Sequence, residues 1–320
     1  MIRKTSLHAE HVKLGAKMME FGGWDMPLSY SSQIEEHQAV RTKVGMFDVG
    51  HMGVITWSPA SADHVLTRAT RDLKPYRIRY NRFKSATGGI VDDILVYRDS
   101  GQDLVVINAG NRRKDMEFLD TQKIEFDTTP FEIIAVQGPQ TVATLQPFSS
   151  INLSEIPYYG FAYGKLWDVV VMFSRTGYTG EDGFEIFTRA PDTQKLWQKL
   201  LEQKVPPCGL AARDTLRIEA GMPLYGHELR DEWADAESKK LIGVVLEGRN
   251  MAREGFKVFA ANGDEIGVVT SGTFSPTLQK PIAIVYLPQE YTFKEVHIDI
   301  RGKKVLGNLQ PLPFYKRQKS

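Results

Sequence analysis

Two adjacent carboxylates inside an apolar run define the chemistry open to this chain. In Gly88-Gly89-Ile90-Val91-Asp92-Asp93-Ile94-Leu95-Val96-Tyr97, a diglycine leads into a strand-like segment that carries both aspartates. An ionised carboxylate loses hydration on burial, so each must be exposed, paired or neutralised. Strand side chains alternate, which sets Asp92 with Ile90, Ile94 and Val96, and Asp93 with Val91, Leu95 and Tyr97. One aspartate at most faces a given cavity, where it could move a proton or oppose a developing cation. The Tyr97 hydroxyl makes the Asp93 face look more like a site lining, and an edge hairpin with two solvated acids is the structural alternative.

A second stretch, Arg175-Thr176-Gly177-Tyr178-Thr179-Gly180-Glu181-Asp182-Gly183-Phe184-Glu185-Ile186, places three glycines among acids. Such a loop suits a tight turn with close backbone approach. Its glycine spacing is not the dinucleotide fingerprint, and it runs from strand to strand instead of strand to helix, which argues against a Rossmann fold. If Phe184 and Ile186 face the core, Glu185 faces the other way, either to solvent or to a ligand. Arg213 and Arg217 fall one turn apart on a helix over 211–221 and could grip a carboxylate or form internal salt bridges. His37 and His51 stand alone, without partners at metal-ligand spacing, so no metal site is expected.

Composition narrows the class. The chain has 320 residues, 42% hydrophobic and 25% charged, enough for a substantial core in two or three domains. A formal net charge of +1 gives no global field. Binding to nucleic acid or a membrane would therefore rest on a local patch such as Arg77-Ile78-Arg79-Tyr80-Asn81-Arg82-Phe83-Lys84 or Lys316-Arg317-Gln318-Lys319, and neither is expected. One cysteine, Cys208, excludes an internal disulfide and a multi-thiolate metal site. No segment has signal-peptide character or approaches the roughly 20 apolar residues of a membrane span, so the expected location is the cytoplasm, or the mitochondrial matrix for a processed form.

The elements that must position these residues can be read in order. Residues 21–28 read as a turn-rich aromatic segment with no element of its own. Ser32-Gln33-Ile34-Glu35 is a capping box that opens a helix closed by Gly45. Residues 46–57 read as one strand with a histidine turn, and 61–70 as a short helix. Strands at 78–83, 90–97 and 104–107 follow, the last ending on Asn108-Ala109-Gly110, where the asparagine is a turn residue or a ligand contact. A helix over 111–123, strands over 133–137 and 169–173, and an amphipathic helix over 192–204 come next. From Lys240 short strands dominate and predict a separate barrel, entered through a polar linker over 230–239 and carrying a hydroxyl-rich turn over 270–276.

Taken together, the stretches 21–28, 37–52, 88–97, 177–186, 209–226 and 270–276 resemble the aminomethyltransferase (T-protein) family of the glycine cleavage system. The resemblance implies an α+β fold of three lobes around a central folate cavity: two mixed α/β lobes over 1–232, the second shortened after Leu229, and a C-terminal β-barrel over 240–320. It implies transfer of the methylene carbon of an aminomethyl group, held on a lipoyl carrier protein (H-protein), to tetrahydrofolate as co-substrate, with release of ammonia. By the same resemblance Asp93 is the catalytic carboxylate, and Tyr80, Tyr97, Asn108, Tyr178, Glu185, Arg213 and Arg217 contact the folate. The alternatives are a folate-dependent demethylase of a small sulfonium or amine donor on the same fold, and a non-catalytic folate-binding protein.

Overall fold

The computed structural model describes residues 2–230 and 238–318. The reading of 230–239 as a linker, and of a missing segment after Leu229, falls mostly on residues outside that set. The described residues form two compact units. The first comprises residues 2–85, 91–177 and 181–212, and the second 86–90, 178–180, 213–230 and 238–318.

In the first unit, one five-stranded sheet runs in the order Ile78–Lys84, Ile90–Arg98, Asp103–Ile107, Gly53–Trp57, Asp127–Thr128. A second has the order Phe161–Leu166, Val169–Ser174, Gly183–Arg189, Phe131–Gln137, Gly45–Asp48, antiparallel throughout. Each buries an apolar face: Val96, Val105, Ile107 and Leu119 belong to the core of the first sheet, and Val136, Phe173, Phe184 and Trp197 to that of the second.

Residues 46–57 are therefore not one strand. Gly45–Asp48 and Gly53–Trp57 belong to different sheets, with the chain crossing at Val49–Met52. Continuous hydrophobicity hides that crossing, because both halves are buried. Other local expectations also change. The aromatic segment is the second strand of a hairpin, Lys17–Phe21 with Trp24–Ser29, turned by Gly22 and Gly23 at φ +56° and +83°. Only a single 3-10 turn, Asp63–Val65, forms in 61–70. The capping box holds: the Ser32 hydroxyl accepts from the Glu35 N–H at 3.2 Å, opening the helix Gln33–Thr42.

The second unit is built on a closed six-stranded barrel in the order Lys239–Leu246, Lys280–Pro288, Glu265–Ser275, Lys257–Phe259, Glu295–Ile300, Lys303–Gln310. Its interior is aliphatic, with Val244, Val258, Val269, Val285, Val296 and Ile298 fully shielded. The expected hydroxyl-rich turn is instead the second half of Glu265–Ser275, where Thr270, Ser271 and Ser275 are buried and hydrogen-bonded.

Candidate active site

Asp92 and Asp93 sit near the start of Ile90–Arg98, and the strand period separates their environments. Asp92 is fully buried, whereas Asp93 is partly exposed. The neighbouring strand pairs Leu95 with Val106 and Val96 with Val105, a register that continues to set Asn108 across from Asp93. The Asn108 backbone N–H donates to Asp92 Oδ2 at 3.2 Å. Its side-chain amide donates to Asp92 Oδ1, Asp93 Oδ1 and the Asp93 carbonyl, each at 3.0 Å. Asn111, at the mouth of the helix Arg112–Thr121, adds a bond from Nδ2 to Asp92 Oδ1 at 2.7 Å.

Electrostatics then distinguish the two. Burial, followed by the charge of Asp92, pushes the Asp93 carboxyl up to about 7, against the Tyr80 hydroxyl, the Arg82 charge and the Asn108 amide. A carboxyl poised there can give or take a proton near neutrality. Tyr80 is partly buried, and the Arg82 guanidinium lies 5.5 Å from its ring centroid and donates from Nε to its hydroxyl at 3.3 Å. Burial and the Asp93 charge raise the Tyr80 phenol, keeping it a neutral donor.

A second carboxylate is held at the base of the glycine loop. Glu185 pairs across the sheet with Ser174 and accepts from the Thr176 hydroxyl at 2.5 Å. Ser174 and Thr176 share a 2.6 Å hydrogen bond, and Ser174 donates to the Tyr97 hydroxyl at 3.2 Å. The loop must be glycine here: a Cβ on Gly177 would fall 1.9 Å from Gln137 Oε1. Arg175 closes it with a two-point grip on Asp182, at 3.0 and 2.6 Å. Tyr159, which sequence reasoning did not single out, feels the charges of both Glu185 and Asp93. Its φ of +56° is unusual for a bulky residue, and its backbone bonds Ile78 and Arg175.

Tyr97 and Arg217, both expected to contact the folate, are buried. Tyr97 has 0% exposure, with its ring packed edge-on against Phe161 and Phe187, so it presents no surface to a ligand. Arg217, in the second unit, is 2% exposed, and each guanidinium nitrogen meets a protein oxygen. Nε donates to Asp214 at 2.8 Å, one terminal nitrogen to Glu228 at 2.7 Å and the other to Ser271 at 2.7 Å. Glu228 in turn accepts from Thr270 at 2.6 Å. Arg213 differs: it is partly exposed and stacks over the Tyr178 ring at 4.9 Å, while the Tyr178 hydroxyl donates to the Pro223 carbonyl at 2.6 Å. The helical period predicts a shared face for 213 and 217, but the buried Glu228 carboxylate draws Arg217 inward.

His37 and His51 are both buried, and no group of three or more potential metal ligands is found among the described residues. Cys208 is buried, and burial together with the Glu36 charge raises its thiol, leaving it unreactive. Among the described residues no helix is long and apolar enough to cross a membrane.

Comparison with known proteins covers the whole chain. Residues 7–242 match the GCVT N-terminal domain family, and residues 239–316 the glycine cleavage T-protein C-terminal barrel domain. An aminomethyltransferase from Rubrobacter xylanophilus is 39% identical over 358 residues, covering 100% of this chain and 96% of the relative. One from Thermosipho melanesiensis is 40% identical over 355 residues, covering 98% of each. Among solved structures, the glycine cleavage system aminomethyltransferase T from Bartonella henselae superposes with a TM-score of 0.90 at 30% identity, over 99% of both chains.

Proposed function

The chain belongs to the glycine cleavage T-protein family, and from that premise we infer that Asp93 is the carboxylate on which its reaction turns. It is an aminomethyltransferase: it moves the methylene carbon of a lipoyl-bound aminomethyl group to a folate acceptor and releases ammonia. The family is folate-dependent in general, and we take tetrahydrofolate as the acceptor and a lipoylated carrier protein as the donor here.

The residues present suit such an acceptor. Its amine-rich edge calls for carboxylate acceptors, and its acidic tail for a cation. Glu185, set by Thr176, is assigned the edge, since a carboxylate takes two parallel N–H donors well. Arg213, with Tyr178 beneath it, is assigned an anionic group. Tyr80 and Asn108 orient Asp93 beside the reacting nitrogens. Tyr97 and Arg217 are left out of this set. Tyr97 supports the Ser174–Thr176–Glu185 relay from behind, and Arg217 braces the second unit.

Ionised Asp93 faces the carbon as positive charge develops on it while ammonia departs. It also accepts the proton shed by the attacking nitrogen. Its raised pKa serves both roles. An approaching cationic donor favours the carboxylate, and once that charge is consumed the group readily holds a proton. The observation that carries this reading is a partly exposed Asp93 held against a buried, donor-saturated Asp92. The test is to offer tetrahydrofolate with an aminomethylated lipoyl carrier and assay ammonia and methylene-tetrahydrofolate together. Equal yields of both support it. Ammonia without folate product, or turnover with a free sulfonium or amine donor and none with the carrier, contradicts it.

A further inference from the structure

The buried ion pair between Arg41 and Glu181 has no part in the steps above. Arg41 lies in the last turn of the helix Gln33–Thr42, where the carbonyl end of the helix favours a cation. Its Nη1 donates to Glu181 Oε1 at 3.0 Å, and the two side chains are 5% and 3% exposed. An ion pair so shielded is a poor source of stability, because apolar side chains of similar volume fill such a site as well. It does fix one loop against one helix, since moving either charge away strands the other in the interior.

The loop it fixes leads into Glu185. Asp182, next to Glu181, is held twice more: its carbonyl accepts from the Gly138 N–H at 2.7 Å, and its carboxylate takes the two-point grip of Arg175. Gly138 itself lies against the same helix end. At its φ of +134°, a Cβ would fall 2.5 Å from the Lys43 carbonyl and 2.8 Å from that of Val40. Gln137, just before it, donates from its amide to the Thr176 carbonyl at 3.0 Å and pairs with Gly183 across the sheet. The helix end thus meets the chain directly at Glu181, and through Gly138 at Asp182, where the chain enters the strand Gly183–Arg189 that bears Glu185.

We propose that Arg41 is a positioning residue for the folate acceptor: through Glu181 it locks residues 181–183 against the helix end, so that Glu185 stands where Thr176 and the ligand both meet it. The shielded Arg41 side chain offers little surface to a ligand and acts through the loop. Functional groups hold a productive geometry only when the residues behind them are themselves fixed. The effect on binding rests on the assignment of Glu185 to the acceptor's amine-rich edge, but the anchoring of the loop does not.

Variants separate anchoring from packing. Arg41→Met strands Glu181 and should lower the melting temperature by roughly 5 to 15 °C. The double variant Arg41→Met/Glu181→Met removes both charges and should melt within about 5 °C of the parent, with the loop left unanchored. In that double variant, tetrahydrofolate Kd by calorimetry and KM in the steady state should both rise roughly tenfold, while kcat stays within about twofold. A parental Kd at recovered melting temperature, or a fall in kcat with KM unchanged, overturns the proposal.

Amide hydrogen exchange reads the anchoring without ligand. Glu181→Gln keeps the shape but not the charge, and residues 181–183 should exchange at least about tenfold faster than in the parent, with 186–188 unchanged. Equal rates overturn the anchoring even if the double variant does not fold. If Glu185→Ala keeps parental folate affinity, the acceptor reading fails while the exchange result still stands.

Discussion

The Asn108 side-chain amide meets Asp93 at two points, the carboxyl Oδ1 and the backbone carbonyl, each at 3.0 Å. One planar group thus fixes both the strand and the rotamer of the proposed catalytic acid. Asn108→Ala should lower turnover by roughly 10- to 100-fold, the scale of a misplacement near 1 Å, while folate affinity stays close to parental. Single-turnover kinetics beside calorimetric folate binding would separate the two effects.

Asp93 should also cost stability in a pH-dependent way. Its folded pKa is raised to about 7, above the ordinary carboxylate range, so the unfolded chain gives up this proton first as pH rises. Its contribution is fully favourable below about pH 4 and is lost as pH climbs through about 7. Asp93→Asn cannot ionise and should be more stable than the parent by about 1 to 3 kcal/mol above neutrality. That advantage should shrink toward pH 4, which urea unfolding at both extremes would reveal.

Arg213 and Arg217 should separate cleanly. Arg217→Met leaves Glu228 buried without its cation and should cost about 3 to 5 kcal/mol of stability. Arg213→Ala should leave the melting temperature nearly unchanged yet weaken folate binding at least about tenfold, the scale of a lost charge-assisted contact. Thermal melts and calorimetry on both variants would show this, and the reverse pattern would exchange their roles.

The Thr176 hydroxyl donates to Glu185 at 2.5 Å. Thr176→Val keeps the shape and removes the hydroxyl, so Glu185 loses a donor where solvent cannot readily replace it. A penalty of about 1 to 3 kcal/mol is expected. Because a less anchored carboxylate grips a ligand edge less firmly, folate Kd should rise as well. Titration calorimetry on a variant of confirmed fold would measure it.

Local periodicity made much of this legible. Alternation placed Asp92 and Asp93 in separate environments, and the capping box at Ser32 and the strand-to-strand path of the glycine loop were both readable. Which aspartate is exposed was not, because it depends on the partner strand that brings Asn108 across. The division of 46–57 between two sheets was hidden for a similar reason, since one unbroken apolar run feeds both. The inward direction of Arg217 was not legible, because Glu228 in the following loop and Ser271 far along the chain determine it.

The most direct test of the account is steady-state turnover of Asp93→Asn beside Asp92→Asn, with aminomethylated carrier and tetrahydrofolate and with folding verified by thermal melts. Asp93→Asn should lower turnover by roughly 10² to 10⁴ with little change in folate affinity. Asp92→Asn should act mainly through stability, by about 0.5 to 3 kcal/mol. Full activity in Asp93→Asn, or its loss in Asp92→Asn alone, would contradict the assignment.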